Sequence, residues 1–329
     1  MRTVLFGVGA TGARAARQLG ASDRVKQIEI RDPHTDQRDR VVRSLGPVAV
    51  AVRGRRLEDT VDVAVVATPS GSQVALARRC VRAGIPVVTT SDDIGEVRRL
   101  LALHADARDA GVAVVVGAGF MPGVSCLLAR HAASELDEVD EIHVAKMGTG
   151  GPICARQHHR ALSSTAIDWR DGAWARRPGG SGRELAWFPD PIDGHDCYRA
   201  ALPDALLLAP AFPGVERVTA RMAATRRDRL TAPLPMLRRP HPEGREGAIR
   251  VEVRGRVGIE QRIVVLGVAE RPGVAAGAMA AVAALHAADG GFAAGAGGLA
   301  MLEDPRALLR ALVARGVRPA RFEGVPTFS

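Results

Sequence analysis

The stretch Thr3-Val4-Leu5-Phe6-Gly7-Val8-Gly9-Ala10-Thr11-Gly12 decides the fold. Residues 3–8 form a short apolar run suited to a buried strand, and a helical pattern opens near Ala13. Between them Gly7, Gly9 and Gly12 make a G-x-G-x-x-G turn, with Ala10 and Thr11 completing it. The first glycine permits a tight bend, and the second leaves bare backbone where a pyrophosphate can approach. The third lets helix and strand pack closely, while the helix tip offers N–H donors and a positive dipole end. A glycine-rich turn that binds nothing is the alternative, and the strand-turn-helix context argues against it.

Working outward, further apolar runs at 25–30, 48–52, 61–67, 87–89 and 112–116 alternate with helix-length stretches at 13–19, 73–82 and 93–109. Valine-rich strands flanked by helices imply a parallel sheet covered on both faces, the doubly wound Rossmann α/β fold. Asp32 follows the second strand, 20 positions after Gly12, where a carboxylate binds the adenosine ribose hydroxyls. Arg31, His34 and Arg38 lie beside it and suit a 2′-phosphate, so the cofactor reads as NAD or NADP, and Asp32 serves equally as a turn residue before Pro33. Ala67-Thr68-Pro69-Ser70-Gly71-Ser72 leaves the fourth strand at the ligand-binding edge. Thr68 or Ser70 either bonds the cofactor ribose or, with Ser72, starts the next helix. Thr89-Thr90-Ser91-Asp92 occupies the equivalent rim position after the fifth strand.

The pattern changes after Gly123. Half-buried alternation at 141–144 and 249–253, the latter facing 261–266 across a short turn, predicts a second α+β domain on a mixed or antiparallel sheet. Loops at 177–183, 189–194 and 233–247 interrupt it, and helical patterning returns at 274–287 and 304–315 around a Gly/Ala-rich stretch at 290–298. Residues 1–124 plus 269–329 are expected to form the dinucleotide-binding domain. Residues 125–268 are expected to form the substrate, catalytic and dimerisation domain.

A net charge of +9 invites a nucleic-acid partner, but the arginines are scattered and only 3% of residues are aromatic, so no stacking platform or basic stripe emerges. An anionic cofactor and a carboxylate substrate account for the charge equally well. Cys80, Cys126, Cys154 and Cys197 show no metal-ligand spacing. A reduced cytoplasmic setting without structural metal is expected, with Cys126 and Cys154 as small buried residues. No run approaches the roughly 20 apolar residues of a membrane span. The alanine-rich segment 274–288 reads as a packed helix.

The chain resembles the saccharopine dehydrogenase-like oxidoreductases. The likeness is carried by the opening glycines, by Val65-Val66-Ala67-Thr68-Pro69, by Ala83-Gly84-Ile85-Pro86-Val87-Val88 and by Gly117-Ala118-Gly119-Phe120-Met121-Pro122-Gly123 leading into a helix. Many members carry Asp where Met121 stands, so a polar role does not transfer to that position. The tail, with Glu303-Asp304-Pro305 and a last helix, looks like the family's return to the first domain. The resemblance implies Gly119, Phe120 and Met121 at the cofactor, hydride transfer to or from NAD(P), and chemistry at a carbon–nitrogen bond of an amino-acid-like substrate. It also implies homodimerisation through the second domain. A nucleotide-binding regulator without turnover, or a homospermidine synthase-like transferase that recycles bound NAD, are the rival readings.

The densest polar group of the middle is Lys146-Met147-Gly148-Thr149-Gly150-Gly151-Pro152, followed by Arg156-Gln157-His158-His159-Arg160. Thr149, Gly150 and Gly151 end a strand and precede a helix, so their backbone suits a carboxylate. Arg156 and Arg160, four apart, could clamp one bidentately. The small-molecule partner expected is thus a carboxylate bearing an amine. Lys146 is one of only two lysines, with Lys26, among 45 basic residues. A lysine can surrender a proton that arginine keeps, which makes Lys146 a candidate acid for an amine nitrogen, the alternative being a solvent-facing strand end. Of His158 and His159, adjacent in sequence, one at most faces the cleft as a proton shuttle. Tyr198, the only tyrosine, either positions substrate through its hydroxyl or packs its ring.

Overall fold

Short valine-rich runs flanked by amphipathic stretches build the first half of the molecule, because strands buried on both faces need apolar side chains in both directions. The computed structural model describes residues 1–54, 57, 60–236 and 239–322. Strands β1 (Arg2–Phe6), β2 (Gln27–Arg31), β3 (Ala49–Ala51), β4 (Val63–Val66), β5 (Val87–Thr89) and β6 (Ala113–Val115) alternate with helices. These are α1 (Ala10–Gly20), α2 (Thr35–Leu45), α3 (Gln73–Arg82), α4 (Ile94–Leu101) and α5 (His104–Asp109). The stretch 93–109, which reads as one helix, is therefore two, joined by Ala102 and Leu103.

After α6 (Val124–Ala133) the chain runs through β7 (Glu138–Met147), α7 (Pro152–Ala161), β8 (Thr165–Arg170), β9 (Ala173–Pro178), β10 (Glu184–Trp187) and β11 (Gly194–Arg199). It continues with α8 (Asp204–Leu208), β12 (Arg217–Ala223), α9 (Arg226–Thr231), β13 (Ala248–Val257) and β14 (Glu260–Ala269). The tail holds α10 (Pro272–Ala288), β15 (Gly295–Gly297), α11 (Arg306–Val313) and β16 (Ala320–Arg321). The predicted loop 233–247 contains Leu237 and Arg238, which lie outside the described residues.

The first sheet is parallel throughout, in the order β15-β6-β5-β4-β1-β2-β3. The direction of growth reverses between β1 and β4, and the crevice beyond their carboxyl ends is where such sheets hold ligands. β15 is the strand that the sequence pattern hides, since Gly295-Ala296-Gly297 has no apolar run. Its lack of side chains serves packing: a Cβ on Gly295 would lie 2.7 Å from the His104 ring, whose Nδ1 meets the backbone of Ala296.

The second sheet is mixed, with the path β10-β11-β12-β7-β13-β14-β16, β8 joined to β12 and β9 to β8. β7 runs parallel to β12 and antiparallel to β13. The β13–β14 hairpin pairs Val251 with Leu266 and Val253 with Val264, the arrangement the alternation predicts. α10, almost wholly alanine, glycine and other small residues, is buried nearly all round. It packs on α1, β4 and β5, and a Cβ on Gly277 would lie 2.5 Å from the Arg14 Cβ, so the two helices approach closely. Among the described residues no helix is long and apolar enough to cross a membrane.

Candidate active site

The glycine turn has two kinds of glycine. Gly7 sits at φ +85°, where a Cβ would lie 2.7 Å from the Ala67 carbonyl oxygen, and a Cβ on Gly12 would lie 2.0 Å from the Gly7 oxygen. Both are required by the protein's own backbone. Gly9 differs: a Cβ there would meet nothing within 4 Å, and as the N-cap of α1 it brings no side chain to the helix tip. Free N–H groups and open space at one point are what a diphosphate needs.

Asp32 stands at the end of β2 and braces this turn. Its Oδ2 accepts the Val8 N–H and its Oδ1 the His34 N–H, each at 2.8 Å. Arg31 is buried and paired with Glu29 at 2.9 Å, and Arg38 is buried with its Nε donating to Asp39. Both arginines line the cavity while already engaged, together with His34 and Arg53. The cavity is about 1690 Å³ and runs from this end along Gly7, Gly9, Ala10 and Thr11, past Ala67, Thr68 and Pro69, to Ser91, Gly119, Phe120 and Met121.

One carboxylate ties the two rim loops together. Glu96, fully buried on α4, accepts N–H groups from Gly71 (2.8 Å) and Gln73 (3.0 Å) and the Ser91 hydroxyl (2.9 Å). Ser72 occupies the N-cap of α3, but its hydroxyl turns back to Thr68 and Pro69. Glu96 supplies the capping in its place, and a residue 23 to 25 positions away in sequence carries no local signal for that role.

The second sheet closes the far wall. Gly150, Gly151 and Pro152 carry the chain from β7 into α7 and press on the glycine turn, a Cβ on Gly151 lying 2.9 Å from that of Ala10. Pro152 at the first helical position fits, since its missing N–H would be unbonded there anyway. At this corner five polar side chains converge. His158 Nε2 is 2.8 Å from Asp92 Oδ2, and Lys146 Nζ is 3.2 and 3.4 Å from the two ring nitrogens. Cys154 Sγ lies 3.6 Å from His158 Nδ1, and Gln157 donates to Asp92 Oδ1 at 2.7 Å. Lys146 and His158 are each only 2% exposed.

Burial penalises every charge here, yet the partners win. For His158, burial favours the neutral ring, but the Cys154 thiolate and the Asp92 hydrogen bond outweigh burial and the repulsion of Lys146, lifting its pKa to about 9. Burial opposes the Asp92 carboxylate as well, and the His158 hydrogen bond, the charges of His158 and Lys146 and the Gln157 amide still hold it below the usual carboxylate range. The Cys154 thiol is lowered in the same way, chiefly by His158 against burial.

Of the residues singled out in sequence, Lys146, Gly150, Gly151 and Arg156 line the cavity, as do the cofactor candidates except Gly12, which packs behind the turn. His158 sits just behind the wall. His159 points elsewhere, its Nε2 meeting the carbonyls of Thr231 and Leu234, so the adjacent pair divides as their spacing requires. Arg160 lines a separate cavity of about 350 Å³ with Ser70 and Gln157. Thr149 lies outside the large cavity, its carbonyl packed on Gly244. Tyr198 is buried on β11 with the Arg229 guanidinium 4.2 Å from its ring centre. Cys154 corrects the reading as an inert buried residue: it is half-exposed and joins the cluster, while Cys126 is fully buried. The i, i+4 spacing of Cys154 and His158 on one helix face was the available signal. Asp92, read only as a rim residue, comes from the loop between β5 and α4.

Residues 1–118 match the oxidoreductase family with an NAD-binding Rossmann fold, known as Gfo/Idh/MocA. In fold the whole chain is similar to saccharopine dehydrogenase (L-Glu forming) of Saccharomyces cerevisiae, at 14% identity and a TM-score of 0.71, covering 98% of this chain and 100% of that one. It is similar to an amine dehydrogenase of Mycobacterium smegmatis at 13% identity and TM-score 0.53, covering 93% and 97%. GenD2 of gentamicin A biosynthesis, solved with NAD, matches at 15% identity and TM-score 0.50, covering 98% and 97%.

Proposed function

We propose that this chain, an NAD(P)-dependent oxidoreductase, acts at a carbon–nitrogen bond of a small amino-acid-like carboxylate, by imine reduction or the reverse oxidative deamination. The observation that carries the reading is the contact of Lys146 Nζ with His158, at 3.2 Å, in the wall facing the glycine turn. Two proton-bearing nitrogens beside one cavity suit a substrate whose nitrogen gains or loses a proton as its carbon changes oxidation state. Open space at Gly9 and the uncapped tip of α1 support a dinucleotide diphosphate there, and Asp32, Thr68, Ser91 and Phe120 line the same cavity. When bound, the cofactor supplies or accepts the hydride.

The chain's own residues do the rest. Asp92 holds the His158 ring in register, and the Cys154 sulfur together with Asp92 favours its protonated form. Lys146, which reaches the cavity, hands a proton to the substrate nitrogen and is recharged from His158 behind it. Arg156, exposed on α7 and lining the cavity, binds the substrate carboxylate.

The test follows reduced-nicotinamide absorbance with a panel of 2-oxo acids, each with and without an amine. Consumption only when both are present supports imine reduction. Reduction of an oxo acid alone, at the same rate with or without amine, would replace the proposal with carbonyl reduction.

A further inference from the structure

We infer that Cys154 is a nucleophilic thiolate that adds to the carbonyl carbon of a carboxylate-bearing aldehyde, giving this chain a thiol-dependent aldehyde oxidation beside its chemistry at C–N bonds. Cys154 lies in the first turn of α7, where the helix dipole favours an anion. Its Sγ accepts the Gly150 N–H at 3.4 Å and lies 3.6 and 3.8 Å from the two nitrogens of His158. Lys146 stands against the same ring, and Asp92 Oδ2 is 3.9 Å from the sulfur. Moving one proton from sulfur to ring leaves the cluster's total charge unchanged, and the thiol is lowered accordingly. Of the Cys154–His158 pair, it is Cys154 that lines the cavity.

The donor atoms of Asp92, Cys154 and His158 all lie within 4.8 Å of one another, close enough to share a divalent metal. Lys146 decides against that use, because its ammonium would face the metal's charge across the His158 ring. A dinucleotide site in the same cavity selects the substrate class. An ester or amide would acylate a thiolate without involving the cofactor, whereas an aldehyde needs both, and Arg156 on the cavity wall offers the anchor for a carboxylate.

The step balances as follows from these groups. The sulfur lone pair forms a C–S bond, and the carbonyl π pair moves to oxygen, which takes the proton held by His158. Two electrons leave that carbon as hydride to an oxidised nicotinamide, His158 recovers the hydroxyl proton, and a thioester remains on Cys154. Water adds to the thioester, the C–S bond breaks with sulfur leaving as thiolate, and the carboxylate departs. The net reaction converts aldehyde, NAD(P)⁺ and water to carboxylate, NAD(P)H and two protons.

The first measurement needs neither cofactor nor amine, so it stands or fails apart from the imine reading. Iodoacetamide alkylation of the whole protein, followed between pH 5 and 9 with the modified residue located by mass spectrometry, should label Cys154 alone. Cys80, Cys126 and Cys197 are fully buried, with thiols pushed up by burial to about 12. At pH 6 labelling should run about tenfold or more faster than that of free glutathione. His158→Asn should return the profile to that of an ordinary thiol. Labelling of Cys154 only as pH passes about 8, the free-thiol range, would overturn the inference. The second measurement incubates the protein with glyoxylate or succinic semialdehyde and NAD⁺ or NADP⁺. NAD(P)H formation with an acyl adduct on Cys154, both lost in Cys154→Ser, is the expected result. Oxidation unaffected by that substitution, or none with either aldehyde, would overturn it, as would a sulfur-to-metal charge-transfer band on adding Co²⁺.

Discussion

A Cβ placed on Gly12 would lie 2.0 Å from the carbonyl oxygen of Gly7. The chain's own backbone thus excludes any larger residue at Gly12, while the space beside Gly9 is left for a ligand. The two substitutions should separate stability from binding. Gly12→Ala is expected to cost about 3 kcal/mol through forced overpacking. Gly9→Val should melt close to the parent and yet give no calorimetric heat with NAD or NADP. A Gly9→Val protein that binds either dinucleotide normally would remove the glycine turn from the site.

Glu96 offers a test of how the rim is built. Glu96→Ala leaves the Gly71 and Gln73 N–H groups without their acceptor. A loss of about 3 kcal/mol in unfolding free energy is expected, with a raised KM for the dinucleotide and a smaller effect on kcat. An unchanged KM would mean that these loops do not position the cofactor.

Lys146 and Arg156 should divide chemistry from binding. Lys146→Ala is expected to lower kcat about 100-fold while dinucleotide affinity holds. Arg156→Ala should raise substrate KM about tenfold or more, the worth of a charge-assisted contact. Full activity in both variants would leave the assignment without support.

Asp204 gives a pH signature. It is buried on α8, where burial raises its carboxyl from 3.8 to about 6 despite the hydrogen bond donated by Ser125 at 2.7 Å. The folded state therefore binds the extra proton between those values. Its cost, about 3 kcal/mol, is absent below pH 4, grows as pH rises and is complete above about 6. Asp204→Asn keeps the acceptor for Ser125 and removes the titration. The variant's melting temperature relative to the parent should be distinctly more favourable at pH 8 than at pH 4.5, and an equal difference at both would refute the account.

Much of this was legible from residue order. Local periodicity and glycine spacing carry the Rossmann half, because each strand and turn there is specified by its own side chains. The β13–β14 hairpin was legible for the same reason. What stayed hidden depends on contacts distant in sequence. β15 has no apolar pattern and exists because Gly295 fits against His104. Glu96 caps a helix it does not belong to. Asp92 meets His158 across 66 residues, from the loop after β5 to α7, so neither announced the other.

The order in which the strands are written has a consequence for truncated chains. β15 completes one edge of the parallel sheet beside β6, and β16 completes one edge of the mixed sheet beside β14, yet both follow α10 in the chain. A chain that lacks β15 and β16 therefore exposes β6 and β14 as longer edge strands, each able to recruit a neighbouring polypeptide. Truncation just after α10 should therefore promote aggregation, the short β15 and two-residue β16 standing in for those longer edges.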